Sequence, residues 1–529
     1  MCEVEGWAEC HRQTLNGILP EPVEPKDFTD DRLAWVLSTL SDDSNWQPIS
    51  HPLGQRLIRV YHLPEDTVRL DSTTVSVYHD TEGTELFRLG HSKDHRPDLP
   101  QLKVMLATLD PLGLPLATLP VSGNCVDGEL YLPAISEAVK IIGCGGRLYI
   151  GDAKMGERKI RATIQSQGDY YLTPLAMSGK IPELKATLLS EFHRGQHPVE
   201  TIRSPVVDGQ DTLSSPILAL GFETERTQRA KIKGEESVWQ ERVLTIYSPT
   251  LAKTTRGAFT LRLQQAEQEL LALTPPRGCG KQQWTEDDKD ALDDAVQKVL
   301  KQYRVEAFLS VDYSLETERR YKRTYKGRPP RYEQRTRYTV HVKRKLKAIA
   351  AARLDMGWRL YATNAPNHKL PLEKAVFAYR DSPLIERNFA RLKGKSLGIR
   401  PLYVQLEEHV KGMVRLLSLA LRLLTLMEYV VRRRLVRIGK SLSGLYAGNP
   451  KRQTQQPTTE RLLKAFNGIT LTVMTFASGT RYYITPLTPL QHRILRLLGI
   501  SESIYMQLTQ TAEEEIGKYD TAQLPGRGS

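Results

Sequence analysis

Three carboxylates stand in contexts where they could do chemistry together. Asp71 lies inside the β-rich run TVRLDSTTVSVYHD, and Asp152 closes the apolar run RLYIGD. The C-terminal end of a strand is where open α/β sheets present polar side chains to a ligand. Glu386 belongs to a helical stretch in which Ile385, Phe389 and Leu392 form an apolar stripe, with Glu386, Ala390 and Lys393 beside it. Such a helix packs through one stripe and aims a carboxylate and an ammonium together. Convergent carboxylates are what Mg²⁺ takes when phosphate oxygens and waters complete its octahedral shell. Two such ions would clamp the attacking and leaving oxygens of an in-line phosphoryl displacement. With 61 Asp and Glu in the chain, spacing by itself does not single these three out.

A second feature points to the same kind of substrate. From Arg319 to Lys347 thirteen Lys and Arg stand against one Glu, and Tyr321, Tyr325, Tyr332 and Tyr338 interleave with them. Guanidinium groups would hold phosphates while the rings stack on bases or sugars, with Arg323, Arg328 and Arg331 as the leading contacts. The plainer alternative is a solvated hairpin with a loop at GRPP. The net charge of +13 and pI near 9.3 favour a polyanionic partner, nucleic acid ahead of an anionic membrane surface.

The elements that must position these residues are legible in outline. Residues 1–65 read as a helical N-terminal segment, with Leu33, Val36, Leu37 and Leu40 at helical spacing after Asp caps. Three strands, TVRLDSTTVSVYHD, ELFRLGHS and QLKVMLATLD, are expected as a meander, followed by a crossover helix LPAISEAVKIIG and the buried strand ending at Asp152. Residues 66–175 would then be the first part of a core. Residues 176–355 alternate strands and helices and read as an α+β insertion domain, after which residues 356–440 resume the core and 441–529 form a helical C-terminal region. His91, Lys93, His95 and Arg96 fall in the turn between the first two core strands, which reads either as a DNA contact, with Lys93 and Arg96 leading, or as a plain hairpin turn. Asp94 and Asp98 in that turn are rival metal ligands, and Gly123, Asn124, Asp127 and Gly128 are ordinary turn residues.

The stretch from Gly412 to Val431 is apolar enough to suggest a membrane span, but Arg415, Ser418, Arg422 and Thr425 recur along it at helical spacing. It therefore reads as a core helix, its polar stripe facing solvent or, alternatively, following a DNA backbone. No membrane is expected as partner. The five cysteines show no CxxC spacing, and the acidic N-terminus lacks the features of a secretory signal, so a reducing cytoplasm is expected.

Six ordered stretches give the motif reading: LDSTTV around Asp71, GHSKDHRPDLPQ at 90–101, GNCVDG at 123–128, YIGDAKM around Asp152, GWRLYATN at 357–364, and YRDSPLIERNFARLK from Tyr379 to Lys393. Together the sequence resembles the bacterial insertion-sequence DDE transposases of the superfamily marked by a Tyr-Arg-Glu-Lys signature. The resemblance implies an α/β, RNase H-like mixed-sheet catalytic core interrupted by a large α+β insertion, with helical flanks. It implies that Asp71, Asp152 and Glu386 bind two Mg²⁺ ions, which Mn²⁺ can replace, and that Tyr379 and Lys393 hold DNA phosphates near the cut. Ser382 stands where the signature has Arg, and Arg380 is the nearby substitute. The implied partners are double-stranded DNA, as inverted-repeat ends and as target, and a second copy of the chain in a paired-end dimer. Related proteins carry a longer helical segment before the first of these stretches, so Met1 reads as an internal start. Two rival readings are an RNase H-like nuclease without strand transfer and an inactive copy that still binds DNA.

Overall fold

The computed structural model describes residues 3–143, 145–205, 215–232, 234–275, 284–323, 329–381, 383–477 and 479–509. Helices α1 (Val4–Ile18), α2 (Asp30–Ser41) and α3 (Asp43–Tyr61) come first. Helix α3 starts where the Asp42 carboxylate accepts from the Ser44 N–H at 2.9 Å, satisfying one of the free donors of its first turn. The chain then runs through β1 (Thr67–Ser76), β2 (Gln101–Leu109), β3 (Leu114–Ser122), α4 (Tyr131–Ile142), β4 (Leu148–Ile150), α5 (Arg158–Ser166), β5 (Tyr170–Pro174) and α6 (Ile181–His193). Strands β1, β2 and β3 are an antiparallel meander, whereas β4 is parallel to β1 and β5 parallel to β4. Each parallel neighbour is reached through a helix, as a parallel pair requires.

The expected strand ELFRLGHS does not form. Both edges of β1 and of β2 are already paired, so residues 85–92 find no free edge there and form only an isolated β-bridge, Arg88–Gln101, while Leu86 and Phe87 pack on the sheet's face. The third strand of the meander is instead LPLATLPVS, whose Pro115 and Pro120 confine it to the sheet's edge.

The second half contains β6 (Glu200–Arg203), β7 (Ile217–Ile232), β8 (Glu235–Tyr247), α7 (Pro249–Ala272), α8 (Lys289–Tyr303), β9 (Leu309–Lys322), β10 (Arg331–Arg344), α9 (Leu346–Asp355), β11 (Trp358–Thr363), α10 (Leu372–Arg380), α11 (Pro383–Lys393), α12 (Glu407–Arg437), α13 (Thr459–Lys464), β12 (Leu471–Phe476), β13 (Gly479–Ile484) and α14 (Pro489–Leu498). Nine strands make one mixed sheet, ordered β3-β2-β1-β4-β5-β11-β8-β7-β6. Residues 176–355, expected as one insertion, divide accordingly. Strands β6 to β8 extend the main sheet past β11, while α7, α8, β9, β10 and α9 close a core of their own around Phe259, Leu263, Val296 and Val340. The C-terminal region is not wholly helical either, since β12 and β13 pair as a hairpin from Leu471 to Ile484.

Among the described residues no helix is long and apolar enough to cross a membrane. Helix α12 covers the β3 edge, and its polar stripe faces neither solvent nor a ligand. Arg415, Ser418, Arg422 and Thr425 are all buried. The Arg422 guanidinium donates to the Pro115 and Leu116 carbonyls of β3 and to Ser50 on α3, all at 2.8–3.0 Å. Arg415 donates to the Leu40 and Ser41 carbonyls at the end of α2, and Ser418 shares a hydrogen bond with Thr118 of β3. The stripe satisfies backbone acceptors that would otherwise be buried without partners, at a helix end and a sheet edge.

Between Arg415 and the start of α12, the helix meets α2 so closely that a Cβ on Gly412 would lie 1.9 Å from the Leu37 carbonyl oxygen. Gly412→Ala is therefore expected to push α2 off α12 and to lower stability by about 1–3 kcal/mol, measurable by denaturant unfolding. An unchanged midpoint would show that α2 moves aside freely.

Candidate active site along β1 and beyond β4

Strand register brings Asp71 and Asp152 together. Strands β1 and β4 run parallel with Thr67 opposite Leu148 and Arg69 opposite Ile150. The same offset carried two residues further sets Asp71 beside Asp152, which follows the end of β4. Across the antiparallel β1–β2 pair, Asp71 stands opposite Leu106, and directly opposed residues share a face of the sheet. Leu106 packs with Ile385, Phe389 and Leu392 of α11, so Asp71 lies on the face that α11 covers.

Each carboxylate is held by a particular partner. Asp71 accepts from the Lys93 ammonium at 3.0 Å and from the Ser72 N–H at 2.7 Å, and Lys93 also donates to the Ser72 carbonyl at 2.6 Å. Burial raises the Asp71 carboxyl above its ordinary range, with the neighbouring Asp152 adding to that and Lys93 opposing it. Asp152 accepts from the Tyr131 hydroxyl and from the Lys154 N–H, both at 2.7 Å. Tyr131 is buried, and burial with Asp152 beside it raises its hydroxyl well above the ordinary value, so it remains a proton donor to Asp152.

Glu386 sits in the first turn of α11 on its exposed stripe, while Ile385, Asn388, Phe389, Arg391 and Leu392 are buried. Asn388 donates to the Gly113 carbonyl at 2.6 Å. Arg391 bonds Glu460 and Glu428, and Arg387 bonds Glu428, so the helix is fixed on its inner side by a charged network. Among the described residues no three His, Cys, Asp or Glu side chains group closely enough to hold one metal ion. The structure thus brings Asp71 near Asp152 and places Glu386 on the helix packed against the face that carries Asp71, without closing the three into one cluster. The Asp71 and Asp152 pair, all hard oxygen donors, fits a divalent ion such as Mg²⁺.

The network around α11 has a pH signature. Burial raises the Glu460 carboxyl, but the Arg391 hydrogen bond and charge outweigh it and hold the group at about 2, below its usual 4.5. A carboxylate depressed in the folded state contributes stability that is present above 4.5 and lost as pH falls toward about 2. Glu460→Gln is expected to destabilise the protein near neutrality and to match wild type increasingly as pH falls through that window. Thermal midpoints that stay separated by a constant amount would contradict this.

The other expected contacts fall in several places. Lys393 pairs with Asp94 at 2.9 Å, and Arg400 joins the same carboxylate at 3.1 Å. Asp94, considered as a metal ligand, is thus occupied by two cations, and Asp98 is engaged by Arg96 at 2.7 Å. Arg96 lies exposed over the Tyr78 ring. His91 and His95 lie in the same loop, His95 with a left-handed backbone. Tyr379 packs edge-on against Tyr361, and burial raises its hydroxyl to about 12, with Tyr361, Asp152 and Asp71 adding to the shift. Arg380 is exposed and reaches the Leu218 carbonyl. Ser382 lies outside the described residues.

Two adjoining cavities open from this point between the sheet and the α7–α9 body. One, of about 680 Å³, is lined by Asp152, Lys185, Thr255, Arg359 and Tyr379. The other, of about 410 Å³, is lined by Arg359, Tyr379, Arg380, Thr250 and Thr254 over an apolar floor. On the β9–β10 hairpin Arg323 and Arg331 are exposed, and the Tyr321 and Tyr332 rings sit 5.2 Å apart in the open. Tyr338 is instead part of the insertion's core, and Tyr325 and Arg328 lie outside the described residues.

Sequence reasoning missed four contributors. Tyr131 supports Asp152, and Arg359 and Lys185 line the cleft. Arg69, buried, grips Asp110 through two nitrogens and donates to the Ala378 carbonyl at 2.6 Å, fastening β1 to the end of α10. Its signal was present, as a charge two residues before Asp71 in a β-rich run. The GNCVDG turn is structural, as its residue types suggest. A Cβ on Gly123 would lie 2.0 Å from the Gln101 carbonyl, and Asp127 pairs with buried Lys103. No protein-family model matches the chain, and no curated protein matches it.

Proposed function

We propose that this chain is a DDE transposase with an RNase H-like core, which cuts insertion-sequence ends and joins them to target DNA in the bacterial cytoplasm. The observation that carries the reading is the β1–β4 register, which sets Asp71, on the face covered by the Glu386 helix, beside Asp152. The antiparallel meander followed by two parallel strands supports the RNase H-like assignment. Mg²⁺ or Mn²⁺ held by these carboxylates would supply Lewis-acid stabilisation of the attacking and leaving oxygens.

The chain's own residues supply position and charge. Tyr131 keeps Asp152 oriented, and Arg69 keeps β1 and α10 in register. Arg359, Tyr379, Arg380 and Lys185 line the cleft that leads from Asp152, where a phosphate backbone would lie. Lys93 and Lys393 flank the same face, and Arg323 and Arg331 would hold DNA further out. Water attacks the phosphodiester at an element end and frees a 3′-hydroxyl. That hydroxyl then displaces a target 3′-oxygen at the same site. A dimer would hold the two ends together.

Incubating the protein with labelled end fragments and a target plasmid in Mg²⁺ tests the reading. Fragments joined to plasmid are expected. Cleavage without joining would make the protein a nuclease, and DNA retention with neither would make it a DNA-binding copy.

A further inference from the structure

The charge of the chain is not carried by the β9–β10 stretch alone. Between residues 429 and 501 twelve Lys and Arg stand against a single acid, Glu460. This segment contributes +11 and residues 319–347 contribute +12, so the rest of the chain, against a total of +13, is net −10. The basic C-terminal segment is also folded. The end of α12, α13 and α14 share a small core of Val431, Leu435, Leu442, Leu462, Ile494 and Leu497.

Ten of the twelve cations are exposed, and among the described residues only Arg432 has a carboxylate partner. Several are fixed in place. The Tyr446 ring lies between Arg452 and Arg461, whose guanidinium carbons stand 4.3 and 4.2 Å from its centroid. Arg434 reaches the carbonyls of Arg496 and Leu497 at the end of α14, and Arg433 that of Tyr61 at the end of α3. Guanidinium groups held by stacking and capping lose little freedom when an anion binds them. An uncompensated, preorganised cationic surface attracts a dense polyanion.

We infer that the C-terminal body is a second DNA-docking surface, which grips the backbone of duplex DNA without reading its sequence. Duplex is the occupant because its line charge is the higher of the nucleic-acid forms, and counterion release scales with the phosphates contacted. The inference deepens the proposed function by adding a contact remote in sequence from Asp71, Asp152 and Glu386, and it does not depend on catalysis.

Lys440, Lys451 and Lys464 are exposed, with no side-chain partner among the described residues, so reversing them disturbs no contact of the fold. The test measures binding of the full chain to a random-sequence duplex in EDTA across a salt series. The Lys440→Glu/Lys451→Glu/Lys464→Glu protein is expected to bind about tenfold more weakly or worse, with a salt dependence shallower by roughly one to three units. Lys→Arg changes at the same positions should preserve binding. A parallel protein with Arg323→Glu and Arg331→Glu separates the possible failures. If only that one loses affinity, the C-terminal surface is refuted and the DNA reading stands. If neither does, both fall. Equally tight, equally charge-sensitive binding to phosphatidylserine vesicles would also overturn the assignment to DNA.

Discussion

Asp152→Asn is expected to lower Mg²⁺-dependent cleavage of end-bearing DNA by on the order of 10³-fold or more, while duplex affinity in EDTA stays at the wild-type level. The substitution isolates charge from shape. Asparagine retains an oxygen to accept from the Tyr131 hydroxyl and the Lys154 N–H, the two contacts that orient the side chain. What disappears is the anionic donor that a divalent ion requires. Asp71→Asn is the less clean experiment, because it also leaves the Lys93 ammonium without the carboxylate it bonds at 3.0 Å. Single-turnover cleavage and gel retention, run side by side, check the expectation. Cleavage within a few-fold of wild type would remove Asp152 from the site.

The largest effect on stability is expected from Arg422→Ala. Arg422 is the largest fully buried side chain, and its guanidinium answers the Pro115, Leu116 and Ser50 carbonyls and the Ser50 hydroxyl. Burial lowers its pKa to about 10, which leaves it charged at neutral pH. Truncation opens a cavity beneath α12 and strands acceptors at the sheet edge, for a cost of about 3–5 kcal/mol. The exposed Arg437, on the same helix, should tolerate alanine to within about 0.5 kcal/mol. Denaturant unfolding of the two variants distinguishes a structural stripe from a DNA-contacting one. Equal stability with weaker DNA binding for Arg422→Ala would reverse the assignment.

The contrast between those two arginines also explains what could be read in advance. Periodicity identified α12 and the polar positions along it, because helical spacing is local. It could not say that those positions face β3, α2 and α3, since burial of an arginine depends on partners hundreds of residues away. The strand carrying Asp71 and the strand that leads into Asp152 were legible from composition, and their placement side by side then follows from register. The prolines of LPLATLPVS hid a strand that edge position permits, while ELFRLGHS had strand-like residues and no free partner. In the second half, apolar runs marked β7, β8 and β11 individually. Their joining into the main sheet depends on long-range pairing that no local pattern encodes. The candidate site was legible where a residue's place follows from its own strand, as for Asp71 and Asp152. It was not where the role comes from a neighbour, as for Tyr131 on Asp152 or Asp94 on Lys393.

Glu386 is the member of the set assigned by its motif, on a helix packed against the face that carries Asp71. Its side chain projects from the outer stripe of α11, and the charged network and Asn388 hold the helix from the opposite side. Glu386→Gln should therefore leave the fold and duplex binding intact. The decisive measurement is nicking of end-bearing DNA by that variant in Mg²⁺. DNA retained at wild-type affinity with no nicked product is expected, and nicking at the wild-type rate would remove Glu386 from the site.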